Sequence, residues 1–186
     1  LLGFSDSLLA LFQSYLMNRQ HCVRYRNCIS NSFVPTSGVP QGSNLGPLLF
    51  LIFINDLPAN ISCNKLLFAD DLKLYHRIYS VNDCLALQQN ANVLSFWCRT
   101  NLLQLSEPKC YVMSYTKQKC PIIYPYKIND YTISRTDSFK DLGVTFDNQL
   151  TFIPHVNDVV ERSLKTLGFI HRSCKDFTKI QPLIML

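Results

Sequence analysis

The sequence predicts an α+β fold, and three observations predict it. Stretches with apolar residues at helical spacing are interleaved with short β-like runs along the 186 residues. Hydrophobic residues make up 47% and charged residues 17%, which supports a true core and excludes disorder as the overall description. The order helix, strand, helix, hairpin, helix, hairpin is that of an α+β chain.

Each element follows from local pattern. Leu8, Leu11, Phe12, Tyr15 and Leu16 recur at helical spacing, so residues 5–17 read as an amphipathic helix. The segment 21–26 alternates and reads as a strand with basic side chains on one face, followed by a polar turn over 27–32. Two prolines and two glycines in residues 35–43 make a loop of fixed shape. Ser43 or Asn44 can cap the helix after it, and Pro47 is tolerable in the first turn. That helix, residues 45–57, is apolar nearly all round and is expected to be buried on several sides. Leu66-Leu67-Phe68 and Leu72-Lys73-Leu74-Tyr75 flank Ala69-Asp70-Asp71 as a hairpin with acids at its bend. A capping box spans Ser80 to Asp83, and Cys84, Leu87, Ala91, Leu94 and Cys98 mark the buried stripe of the helix it opens. Residues 110–115, 126–133 (bent at Asn129-Asp130) and 139–146 are β-like. Val156, Val159, Val160, Leu164 and Leu167 mark a last helix over 155–174.

Composition narrows the classes further. The longest strongly apolar run, Leu45 to Leu57, holds Gly46 and Pro47 and falls short of the ~18 residues of a membrane helix, so no membrane partner is expected. The chain starts at Leu1, meets its first methionine at Met17 and stops within Ile184-Met185-Leu186; both ends are expected to be cuts through a longer frame. None of the eight cysteines are spaced as C-x-x-C and no histidine pair has zinc-ligand spacing, so free thiols are expected. A net charge of +5 permits nucleic-acid binding without requiring it. Residues 66–154 are nearly balanced, with nine Lys/Arg against eight acids, and the acids there carry the interest.

Asp70-Asp71 is the first candidate for chemistry. Paired acids often mark no more than a solvated bend. Between apolar strands, however, carboxylates ~4 Å apart repel by about 1 kcal/mol in water and about 4 at an effective dielectric of 20. A divalent cation with a preference for hard oxygen ligands removes that cost. Pro40-Gln41-Gly42-Ser43 is the second candidate, because a rigid loop can present backbone groups and the Gln41 amide to a ligand.

The run Ser37-Gly38-Val39-Pro40-Gln41-Gly42-Ser43-Asn44-Leu45-Gly46-Pro47-Leu48-Leu49-Phe50, then Ile54-Asn55-Asp56-Leu57-Pro58 and Leu67-Phe68-Ala69-Asp70-Asp71, resembles the reverse transcriptase of non-LTR (LINE-type, Jockey-like) retrotransposons. The likeness extends over nearly the whole chain. Segment 16–20 is similar to the part preceding the Pro-Gln-Gly-Ser loop, and 97–109 to the helix-to-lysine element. Leu142-Gly143-Val144 resembles the primer-grip hairpin and 155 onward the start of a thumb.

The resemblance implies a polymerase palm, an antiparallel sheet backed by helices, over residues 1–154, and the beginning of a helical thumb over 155–186. It implies an RNA-directed DNA polymerase that uses two Mg²⁺ (or Mn²⁺) ions, with an RNA template, a DNA primer and dNTPs as partners and an endonuclease domain elsewhere in the same polyprotein. Asp70 would ligate the metals, with Asp71 as a further ligand or a partner behind the ligand, and Lys109 would protonate the leaving pyrophosphate or stand as an ordinary lysine at the start of a strand. Pro40, Gln41, Gly42 and Ser43 would meet the nucleotide and template base, together with Phe68, which occupies a place often held by tyrosine. Leu142 and Gly143 would position the primer end. Arg19, Arg24 and Arg26 in front, and Arg162, Lys165, Arg172, Lys175 and Lys179 behind, would meet backbone phosphates without reading bases, or would simply be solvated faces. Two-metal chemistry takes carboxylates from two elements. The family's other strand, with an Asp before an Ala-Phe pair, has no counterpart before Gln41, where only Asp6 occurs, so this stretch is expected not to polymerise alone. A non-catalytic nucleic-acid-binding remnant, or an intron- or telomerase-type reverse transcriptase, is the alternative.

Overall fold

The computed structural model describes residues 3–175, which divide into two compact units, 3–75 and 76–175. The first unit begins with α1 (Asp6–Leu16), where the Ser5 hydroxyl accepts from the Leu8 amide at 3.4 Å as N-cap. Of the expected stripe, Leu8, Phe12, Tyr15 and Leu16 are half-buried, while Leu11 is 55% exposed.

The expected strand over 21–26 is shorter than its alternation suggests. His21 makes only an isolated bridge to Phe33, and β1 (Arg24–Tyr25) pairs with β2 (Cys28–Ile29). Arg26, at φ 53°, forms the tight turn with Asn27 that ends the strand, so Arg24 and Arg26 do not share one strand face, and the turn over 27–32 is cut short by β2.

α2 (Leu45–Ile54) stops three residues before the predicted end, and a 3₁₀ turn over Leu57–Asn60 follows. Within the unit only Gly46, Leu49 and Ile54 of α2 are buried. Leu48, Leu51 and Phe53 stay exposed, so burial is one-sided where all-round burial was expected. Leu57 and Ile61 complete this core. β3 (Asn64–Phe68) and β4 (Asp71–Tyr75) form the expected antiparallel hairpin, with Phe68 opposite Asp71.

In the second unit, the Ser80 and Asp83 side chains close the predicted capping box on α3 (Val81–Thr100). The hydrogen bonds from Tyr79, first, and from Ser80 hold the Asp83 carboxyl below its ordinary range. Cys84, Ala91, Leu94, Trp97 and Cys98 are buried along one stripe, with Leu87 half-buried beside it, and α3 packs on β6 (Lys127–Ile128). Only Tyr111–Val112 (β5) of the expected 110–115 strand forms a ladder. The 126–133 run is a hairpin of β6 and β7 (Tyr131–Thr132), turning at Asn129-Asp130 as expected. β8 (Ser134–Arg135) pairs with β5 in parallel, a long-range pairing that local pattern does not signal. β9 (Ser138–Asp141) and β10 (Val144–Asp147) make the last hairpin, and α4 (Ile153–Ser173) packs on β10.

All ladders in either unit are two-stranded; the expected antiparallel sheet backed by helices takes the form of separate hairpins and one parallel pair. None of the eight cysteines, all among the described residues, is paired in a disulfide, and three of them are buried. Among the described residues no helix is long and apolar enough to cross a membrane. Lys179 lies outside the described residues.

Candidate functional site

The loop before α2 is built by its own side chains. Ser43 donates to the Pro40 carbonyl at 2.7 Å, and its Oγ accepts from the Gly46 amide at 3.1 Å. One hydroxyl therefore ties the loop to the first turn of α2, satisfying an amide that a helix start leaves unpaired. Of the two caps the sequence allows, Ser43 is the one that bonds; Asn44 sits at the N-cap without a side-chain bond. Gly46 is needed for the close approach: a Cβ there would lie 3.0 Å from the Pro40 carbonyl oxygen and 3.3 Å from Val39 Cγ2. Gly42 and Gly38 hold φ +77° and +80°, conformations that favour glycine. Gln41 is exposed at the crest, and its amide makes no hydrogen bond among the described residues.

Ala69, in the left-handed region at φ 51°, and Asp70 form the two-residue turn of the β3–β4 hairpin, and Asp71 is the first residue of β4, so only one of the two acids lies in the bend itself. Both acids are exposed. The flanking strands are half-exposed, with Leu66 at 56% and Phe68 at 63%, where apolar sequence suggested burial. With both acids in solvent, the low-dielectric repulsion that buried flanking strands would impose does not arise. Two adjacent carboxylates suit Mg²⁺ in kind, since that ion is held by one or two carboxylates with water and phosphate oxygens. Among the described residues no group of three His, Cys, Asp or Glu gathers around an ion. Asp70, Asp71, Phe68 and the 40–43 loop all belong to the first unit.

The remaining candidates lie in the second unit, except the three front arginines. Lys109 is exposed at the end of a 3₁₀ turn, Glu107–Lys109, just before β5. Leu142 (φ 46°, 53% exposed) and Gly143 (φ 88°) form the two-residue turn between β9 and β10. Hairpins favour positive φ at both such positions, usually met by Asn-Gly; an exposed leucine there is strained. On α4, Arg162 pairs with Asp158 at 2.8 Å and Lys165 with Glu161 at 2.5 Å, while Arg172 and Lys175 are exposed. In the first unit, Arg24 is exposed and Arg26 lies 5.4 Å from the Tyr25 ring centroid. Arg19 instead turns inward and donates to three carbonyls, Leu16, Ser37 and Gly38.

Sequence reading missed Gly46 and also Asp147, which builds the corner between β10 and α4. The Asp147 carboxylate accepts from the amides of Gln149, Thr151 and Phe152 and from the Thr151 hydroxyl, at 2.8–3.1 Å. Those bonds, the Thr151 amide first, hold its carboxyl below the ordinary range. A threonine four residues after an aspartate, ahead of a helix, is the signal that could have revealed it.

A family model described as reverse transcriptase (RNA-dependent DNA polymerase) matches residues 4–170. The chain is 34% identical over 172 residues to the probable RNA-directed DNA polymerase from transposon BS of Drosophila melanogaster, covering 86% of this chain and 19% of that protein. It is 33% identical over 159 residues to the probable RNA-directed DNA polymerase from transposon X-element of the same species, covering 82% and 17%. With the RNA-directed DNA polymerase from mobile element jockey of Drosophila funebris the identity is 29% over 173 residues, covering 87% and 18%. The chain thus spans about a fifth of the length of these curated relatives. No solved structure matches it significantly.

Proposed function

The chain belongs to the reverse transcriptase (RNA-dependent DNA polymerase) family, and from that premise we propose that it serves RNA-directed DNA synthesis in a non-LTR retrotransposon. The observation that carries this reading is the presence, in one compact unit, of two exposed, locally braced elements. These are the Pro40–Ser43 loop and the Asp70-Asp71 hairpin tip.

The reaction is attack of a primer 3′-hydroxyl on the α-phosphate of a dNTP, with pyrophosphate leaving. Asp70 and Asp71 would hold Mg²⁺ (or Mn²⁺), which supplies charge neutralisation at the phosphate oxygens and a more acidic 3′-hydroxyl. Their exposure leaves room for the waters and phosphates such an ion keeps. Gln41 and Gly42 meet the nucleotide and template base, from a crest whose shape Ser43 maintains, and Phe68, exposed on β3, meets the nucleotide with them. Lys109 donates a proton to the leaving pyrophosphate. Leu142 and Gly143 touch the primer end, which accounts for a strained, exposed apolar residue at that turn. Residues 3–154 would form most of a palm and 155–175 would begin a thumb, residues 1–2 and 176–186 of the two expected domains lying outside the described residues. Arg24, Arg26, Arg172 and Lys175 reach template and primer phosphates; Arg162 and Lys165 do so after exchanging their carboxylate partners.

The test is primer extension on poly(rA)/oligo(dT) with Mg²⁺, in a polymerase that contains this chain. Asp70→Asn is expected to cut extension on the order of a hundredfold or more, the scale of losing one charge-stabilising group, with the fold intact. Near-normal extension by that variant sinks the assignment.

A further inference from the structure

Arg19 stands apart from the other basic residues. It is half-buried, and its guanidinium spans two elements of the first unit. Nε donates to the Leu16 carbonyl at 3.0 Å, on the last residue of α1, where helix carbonyls lack intrahelical partners. Nη2 donates to the Gly38 carbonyl at 2.6 Å, with the Ser37 carbonyl at 3.5 Å. Asn18, at φ 55°, turns the chain after α1, and Gly38, at φ +80°, turns the loop that Arg19 meets. The loop is thus gripped at both ends: by Arg19 at residues 37–38, and by Ser43 at Pro40 and Gly46. Gln41 and Gly42 lie inside the second grip and just beyond the first.

We propose that Arg19 is a positioning residue, whose planar fork fixes the 36–44 loop in the shape from which Gln41 and Gly42 meet the incoming nucleotide. The inference rests on the nucleotide role proposed for that loop. A guanidinium suits the task because its rigid donors reach two carbonyls on different segments at once. A lysine carries the same charge on a single point donor and cannot bridge them in that geometry. That difference separates a clasp from a phosphate contact, which a lysine would keep.

Arg19→Lys and Arg19→Gln are therefore compared by hydrogen–deuterium exchange and by steady-state extension on poly(rA)/oligo(dT) with varied dTTP. Both variants are expected to speed amide exchange in residues 36–44 by about tenfold or more, with residues 46–54 and 64–75 unchanged. Both are also expected to raise KM for dTTP by about fivefold at nearly constant kcat, the mark of a site held less often in its binding shape. Wild-type exchange and KM in Arg19→Lys would overturn the clasp in favour of simple charge. Faster exchange throughout 46–54 and 64–75 would overturn it in favour of general support of the fold. Gln41→Ala keeps the two readings apart. If it leaves KM unchanged while the Arg19 variants loosen the loop, the clasp stands and the nucleotide role of Gln41 falls.

Discussion

Gly46→Ala probes the tightest surroundings of any glycine among the described residues and sets two effects against each other. Alanine in place of a helical glycine favours the helix by about 1 kcal/mol. The new methyl would sit 3.0 Å from both the Pro40 carbonyl oxygen and Ser43 Oγ. The Ser43 hydroxyl can rotate away, but only by giving up its bonds to Pro40 and from Gly46, each contributing about 1 kcal/mol. The Pro40 oxygen is backbone and can retreat only if the loop moves, a strain on the scale of about 1 kcal/mol or more. Crowding therefore wins by about 2 kcal/mol, which corresponds to a fall of roughly 10 °C in the melting temperature of a unit this size. Because the displaced atoms belong to residues 39–43, the KM for dTTP should rise as well. Far-ultraviolet circular dichroism melts and dTTP titrations measure the two effects. A variant that melts higher than the wild type, with unchanged KM, would refute the reasoning, since helix propensity would then outweigh the contact.

Two further outcomes follow from strained or shifted groups. The Asp147 carboxyl has a folded pKa below its unfolded value of about 3.9, so its contribution is complete above that value and fades as pH falls through the folded pKa. Melting of the second unit should drop more steeply below about pH 4 in the wild type than in Asp147→Asn, and superimposable pH profiles would contradict the corner described above. Leu142→Asn should stabilise the β9–β10 hairpin by about 1 kcal/mol, because asparagine tolerates the left-handed region that leucine occupies at φ 46°. Primer extension should fall despite the gain, and a lower melting temperature would remove strain as the explanation of that turn.

What the sequence disclosed tracks the range of the interactions involved. α3 was readable because its capping box and its Cys84-to-Cys98 stripe are local, and the β3–β4 hairpin because apolar runs flank a short polar bend. The 21–26 strand was overread, since alternation does not reveal that Arg26 takes a left-handed turn. The burial of α2 was overestimated because composition reports how apolar a helix is and not how many of its sides have a neighbour. The β5–β8 pairing joins segments more than twenty residues apart, and no propensity encodes a partner at that distance. Within the candidate site, motif wording located Gln41, Asp70 and Asp71. The roles of Arg19, Gly46 and Asp147 depend on which carbonyl or amide lies within 3 Å, which only the folded chain reveals.

The chain has a single tryptophan, and Trp97 lies in the core stripe of α3, 6% exposed. Its indole emission is therefore an optical label that nature has placed in residues 76–175 and withheld from 3–75. A red shift on heating or in urea reports the loss of packing around α3, while the peptide backbone signal sums both units. Recording the two together on one sample compares the opening around α3 with the loss of backbone structure along the chain, with no dye and no engineered residue. Gly46→Ala should then move the backbone transition, and Asp147→Asn, a change in the unit that holds Trp97, should shift the tryptophan midpoint.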